Sequence, residues 1–177
     1  MTRDLSNLTI SVVENSPTIR RMVRRILRSL GAHQGMDFPD SASALAEFRH
    51  RLPDIAIIDV DLTPEDGLVI TQFIRRSIDS ANPYLPIIMM VGNSDPARVV
   101  QARDAGVTEI LAKPVSAPSL HGRIVEILDR PRRFIRAGGY FGPDRRRRSI
   151  LWIGRERRVT TDADDFTVFL DPHERSR

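Results

Sequence analysis

Through the first 129 of its 177 residues the chain repeats one rhythm: a short apolar run, then a segment in which apolar residues return every three or four positions. Apolar runs of about four to eight residues suit strands buried on both faces, and parallel strands need crossovers long enough to hold a helix. The strand candidates are residues 8–13, a weaker stretch around 32–38, then 54–59, 86–91 and 107–112. Five strands and five helices follow, the pattern of an α/β fold with a parallel sheet.

The first helix is the clearest. Ser16 can cap it and Pro17 suits its first position. Ile19, Met22, Val23, Ile26, Leu27 and Leu30 recur along one face before Gly31. Arg20, Arg21, Arg24, Arg25 and Arg28 fill the remainder, which is read as a solvated face. A second helix is expected over 41–51 and a third over 67–77. The fourth is capped by Asp95 with Pro96 and stops at Gly106. The fifth starts at Ser116, buries Leu120, Ile124, Ile127 and Leu128, and ends before Pro131.

Charge divides the chain in two. Residues 1–129 carry 14 basic and 16 acidic residues, a net −2, whereas residues 130–177 carry 13 and 7, a net +6. The boundary is set there: a domain over 1–129 and an Arg-rich C-terminal extension over 130–177 with no recognisable output domain. The extension holds strand-like runs at 150–153 and 166–170, and it is expected to fold partly or against something else. Arg145 to Arg148 with Tyr140, Phe141 and Trp152 could track phosphates and stack on bases. No reading module accompanies them, so nucleic acid is not expected as a partner. Arg132 and Arg136 spell half of a cyclic-dinucleotide RxxxR signature whose other half is missing. Contact with protein, including self-association into a homodimer, is the reading of this segment. The longest apolar runs, 55–58 and 85–92, fall far short of the roughly 20 residues that span a bilayer. A cytoplasmic protein without membrane contact is expected. With no cysteine in the chain, disulfides, thiol nucleophiles and Cys-ligated metals are excluded.

In open parallel sheets, ligands bind beyond the carboxyl ends of the strands. The residues delivered there are Glu14 and Asn15 after the first strand, Asp59 at the end of the third, Val91 and Gly92 after the fourth, and Lys113 after the fifth. Oxygen donors so grouped suit Mg²⁺, which takes one or two carboxylates and fills its octahedron with water and phosphate oxygens. A carboxylate beside a metal and an ammonium is also a reasonable phosphoryl acceptor, with Asp59 supplying the attacking oxygen. Of 27 Lys+Arg residues 26 are Arg, so Lys113 is the lone lysine. His33, His50, His121 and His173 show no metal spacing.

The segments VVEN at 12–15, IIDVDLTPEDG at 57–67 and LAKP at 111–114 resemble, in order and spacing, the receiver domain of two-component response regulators. The likeness covers roughly residues 8–129. It implies a flavodoxin-like (βα)5 three-layer sandwich, with an extended or partly ordered tail beyond it. It further implies phosphorylation at Asp59, Mg²⁺ held by Glu14, Asn15, Asp59 and the backbone carbonyl of Asp61, and Lys113 paired with a phosphoryl oxygen. The Lys113–Pro114 peptide is expected to be cis. The donor would be a histidine kinase or a histidine phosphotransfer protein, docking largely on the first helix, and the signal would pass to a downstream protein. The chain would be a phosphoacceptor and not an enzyme, beyond any self-dephosphorylation.

Three positions depart from that pattern. Asn15 replaces a second acid, which lowers the expected metal affinity. Val91 stands where a hydroxyl usually bonds the phosphoryl group, and Ile110 replaces the aromatic that usually moves with it. These switch positions keep a second reading open, a degenerate receiver acting as an interaction scaffold without phosphate. Asp59, Asp61 and Thr63 also spell the DxDxT motif of haloacid-dehalogenase-type phosphatases. Those enzymes usually carry it on their first strand, whereas here a strand bearing Glu14 and Asn15 precedes it. Asp164 and Asp165 are the only candidates for their later acidic pair.

Overall fold

The computed structural model describes residues 4–51, 53–92 and 95–145. In chain order the elements are β1 (Ile10–Val13), α1 (Pro17–Ser29), β2 (Asp37–Phe38), α2 (Ser41–Phe48), β3 (Ile55–Asp59), α3 (Gly67–Arg76), β4 (Ile87–Gly92), α4 (Pro96–Ala105), β5 (Glu109–Lys113), α5 (Ala117–Asp129), β6 (Phe134–Ala137) and β7 (Tyr140–Pro143). The first five strands form one parallel sheet in the order β2-β1-β3-β4-β5. The expected α/β fold is the observed one.

The period-2 alternation of a strand explains the layers. Along β3, Ala56 and Ile58 enter one core with Phe48, Ile70 and Ile74 from α2 and α3. Ile55 and Ile57 enter the opposite core with Val23 and Leu27 of α1 and Leu120 and Ile124 of α5. Every residue of β3 is buried, as a central parallel strand requires. Each fully buried Ile or Leu contributes about 1.5–3 kcal/mol, so these two cores carry the domain.

The weak second strand contracts to two residues for a local reason. Gly35 interrupts the run at φ +128°, pressed so close to β1 that an added Cβ would lie 2.0 Å from the Ile10 carbonyl oxygen. Pairing before it is limited to a bridge between Thr9 and Gln34. The helix starts sit at their expected caps: Ser16, Asp95 and Ser116 accept from the backbone of Ile19, Arg98 and Ser119. α2 ends at Phe48, three residues short of the expected 51.

Helix α1 needs two corrections. Met22, assigned to the buried face, is 39% exposed, while Arg24, assigned to the solvated face, is only 6% exposed. The Arg24 guanidinium pairs with Asp37 and donates to the Ile10 carbonyl at 2.9 Å, so it ties α1 to the edge of the sheet. Arg21, Arg25 and Arg28 are exposed as expected.

The start of the extension folds onto the domain. β6 and β7 form an antiparallel hairpin turning at Gly138 and Gly139, both at positive φ. Phe134 and Phe141 are buried, with ring centroids 5.1 and 5.4 Å from Tyr84. Arg75 of α3, 3% exposed, lies over the Phe134 ring and donates to the Gly106 carbonyl at 2.9 Å. Arg132 pairs with buried Glu109 at 2.9 Å, Arg136 covers Phe141, and Arg145 covers Tyr140. Both members of the RxxxR pair and all three hairpin aromatics therefore have partners in the folded structure. Arg146 to Arg148, Trp152, Asp164, Asp165, His173 and the runs 150–153 and 166–170 lie outside the described residues. No helix among the described residues is long and apolar enough to cross a membrane.

Candidate functional site

The parallel register brings three of the expected side chains to one edge. Asp59 ends β3 opposite Met90, Lys113 ends β5 opposite Gly92, and Glu14 follows β1. Glu14 and Asp59 are 1% and 2% exposed. Between them the Lys113 ammonium donates to Asp59 Oδ2 at 2.7 Å and to Glu14 Oε2 at 3.4 Å. Glu14 Oε1 accepts from the Ser16 backbone at 2.9 Å, and Asp59 Oδ1 accepts from the Asp61 backbone at 3.4 Å. Gly67, which closes the 57–67 motif, has no room for a side chain: a Cβ would fall 2.0 Å from the Asp59 carbonyl oxygen. Its absence lets α3 begin directly against the backbone of Asp59. The Lys113–Pro114 peptide is cis as expected, and Thr63–Pro64 is cis as well.

Two buried carboxylates face one ammonium, so a negative charge is left over. Burial pushes the Glu14 carboxyl above its usual range and the Asp59 charge adds to this, against the Ser16 N–H and the Lys113 charge. For Lys113, burial works downward, yet the hydrogen bond to Asp59 and the charges of Asp59 and Glu14 together lift it above the ordinary lysine value. Surplus negative charge and oxygen donors fit a hard cation that keeps most of its water. This is the donor chemistry of Mg²⁺, and not of a fully protein-caged metal.

The remaining expected residues are placed differently. Asn15 is exposed at the rim, its amide nitrogen donating to Thr63 Oγ1 at 3.1 Å, so its oxygen is the end left to ligate. The Asp61 carboxylate turns outward, 60% exposed, and pairs with Arg98 of α4 at 3.3 Å. Val91 is buried in the α2–α3 core and Ile110 packs against it, so both switch positions are apolar packing elements. Arg98 and Thr63 are the neighbours that sequence reasoning leaves unassigned. Thr63 was visible in DxDxT; Arg98 could have been reached from Asp95, whose cap places residue 98 on the first turn of α4.

A doubly wound sheet with this strand order, two buried acids on one lysine at its carboxyl edge and a cis proline after that lysine defines the receiver class of signalling domains. Residues 10–125 match the response regulator receiver domain, and the chain belongs to that family. The chemotaxis protein CheY-3 of Vibrio cholerae is 27% identical over 124 residues, covering 70% of this chain and 94% of its own. Among solved structures, the signal receiver domain of a signal transduction histidine kinase from Syntrophus aciditrophicus superposes with a TM-score of 0.61 at 25% identity, covering 69% and 90% of the two chains. The receiver domain of a sensor histidine kinase from Pseudomonas aeruginosa, with a magnesium ion coordinated in its active site cleft, does so at 0.59 and 28% identity, covering 67% and 94%.

Proposed function

We propose that this receiver is a phosphoacceptor in a two-component phosphorelay, modified on Asp59 by a histidine kinase or histidine phosphotransfer protein and signalling in the cytoplasm through protein contacts. The observation that carries the reading is the buried Asp59 carboxylate held 2.7 Å from the lone lysine. Among the described residues, Asp59 Oδ2 is committed to Lys113 while Oδ1 makes only the long Asp61 contact, so Oδ1 is the freer nucleophile. It attacks phosphorus, an O–P bond forms as the N–P bond of the phosphohistidine breaks, and the departing imidazole keeps the electron pair and takes up a proton. Lys113, already charged, follows the phosphoryl oxygens without a proton transfer. Glu14, Asn15, Asp59 and the Asp61 carbonyl would hold Mg²⁺, which when bound supplies charge neutralisation to the transferring group. The protein acts once per phosphoryl group received, as an acceptor and not as an enzyme.

Val91 supports a second reading, a scaffold that needs no phosphate, because a buried valine offers no hydroxyl to the acceptor edge. Intact mass after incubation with Mg²⁺ and acetyl phosphate separates the two. A single phosphate that is absent in Asp59→Asn supports the acceptor. An unmodified parent, with acetyl phosphate and with a cognate kinase, supports the scaffold.

A further inference from the structure

Without the hydroxyl at position 91, some other group must report a phosphoryl group on Asp59, and one cation is already wired to its loop. Arg98, on the first turn of α4, reaches the β3–α3 loop, where its guanidinium pairs with Asp61, two residues beyond Asp59, at 3.3 Å. It also pairs with Asp66, the residue that caps α3. Apolar packing does little to hold this helix. Its only buried residues are Ala102 and Ala105, while Val99 and Val100 are 39% and 44% exposed. An element with so little apolar burial belongs to the easily displaced end of a domain's stability range.

The far end of α4 is fastened to the hairpin. Arg145 pairs with Asp104 at 3.0 Å. Gly106, the left-handed cap of the helix, lies so close to β7 that a Cβ there would sit 2.9 Å from the Phe141 carbonyl oxygen. A Cβ on Gly142 would in turn sit 2.8 Å from the Gly106 Cα. A shift that carries the far end of α4 meets the hairpin, because the backbones are in contact there.

We propose that Arg98 is the residue through which this receiver reads phosphorylation, and that α4 passes the change to the β6–β7 hairpin and the chain that leads from it. The inference rests on the acceptor reading of Asp59. A phosphoryl group adds negative charge and three acceptor oxygens beside Asp61, and a guanidinium fork matches such oxygens better than it matches the separated carboxylates of Asp61 and Asp66. Arg98 is drawn toward Asp59 and takes the first turn of α4 with it. That inward pull is the one a hydroxyl at position 91 would exert, relocated to a cation on the facing helix.

Hydrogen exchange on the full chain, with Mg²⁺ and with or without acetyl phosphate, tests this when each sample's phosphorylated fraction is read by intact mass. In the parent, phosphorylation is expected to change exchange at 95–106 and 134–143 by about twofold or more. In Arg98→Ala the change at 134–143, per phosphorylated molecule, is expected to fall to less than about a quarter, with Arg98→Lys intermediate because it keeps the charge without the fork. A merely structural Arg98 would shift exchange equally with and without phosphate and leave the difference intact, which overturns the proposal. A phosphorylated parent whose hairpin does not respond also overturns it. A parent left unmodified by acetyl phosphate and by a cognate kinase alike overturns the acceptor reading and, with it, this one. If Arg98→Ala loses its far-ultraviolet circular dichroism, Arg98→Gln takes its place and is read against the same two outcomes.

Discussion

The site works through a mismatch at the level of single groups, two buried acids against one ammonium. Glu14 has its pKa raised by folding, so between its unfolded value and the higher folded one the native state binds more protons than the unfolded chain, and stability falls as pH rises through that window. Removing that charge should therefore stabilise the protein. Glu14→Gln is expected to raise stability at neutral pH by about 1 kcal/mol, within the usual range for stabilising substitutions, and to weaken Mg²⁺ binding. Chemical denaturation and a Mg²⁺ titration check the two effects. Lys113 has its pKa raised as well, so the stability it contributes is complete below its unfolded value near 10.5 and is lost as pH rises through the higher folded value. Lys113→Arg keeps the charge but replaces a compact ammonium by a planar fork. It is expected to slow phosphorylation by about tenfold or more, whereas Arg21→Lys on the exposed face of α1 leaves the rate unchanged. Stopped samples quantified by intact mass decide this. The gathering of Glu14, Asp59 and Lys113 was legible in the sequence because each ends or follows a strand of a parallel sheet, and strand ends share an edge. The Arg98–Asp61 pair was not, since it depends on how α4 lies over the loop.

At the scale of elements, α1 shows where periodicity stops being informative. Five arginines share its polar face, and nothing in their spacing marks Arg24 as the one that faces the sheet edge and meets Asp37. Arg24→Ala is expected to cost about 2–3 kcal/mol, because it strips partners from Asp37 and two backbone carbonyls together. Arg25→Ala should stay within about 0.5 kcal/mol. Urea denaturation of the two variants makes the comparison. The strong strands were legible from apolar runs alone, since a strand buried on both faces has no polar side to confuse the pattern. The second strand was legible only in outline, because Gly35 breaks it through an approach to β1 that no local signal reveals.

For the whole molecule, the opposition between an acidic domain and a basic extension partly dissolves once folded. Arg132 and Arg145 pair back onto Glu109 and Asp104, and Phe134 and Phe141 close over Tyr84 and Arg75. Pro, Gly and Arg around three aromatics read as a loose segment because the surface that accepts them is assembled from α3, α4 and the loop before β4. Phe134→Ala is expected to destabilise the protein by about 3 kcal/mol, as for other buried aromatics, which thermal unfolding would register. What unites the scales is the claim that this edge accepts a phosphoryl group on Asp59 although the usual hydroxyl and aromatic are missing. Intact mass of the full chain after incubation with Mg²⁺ and acetyl phosphate tests it most directly. A single added phosphate that Asp59→Asn abolishes is the predicted result; an unmodified parent, with acetyl phosphate and with a cognate kinase alike, would contradict it.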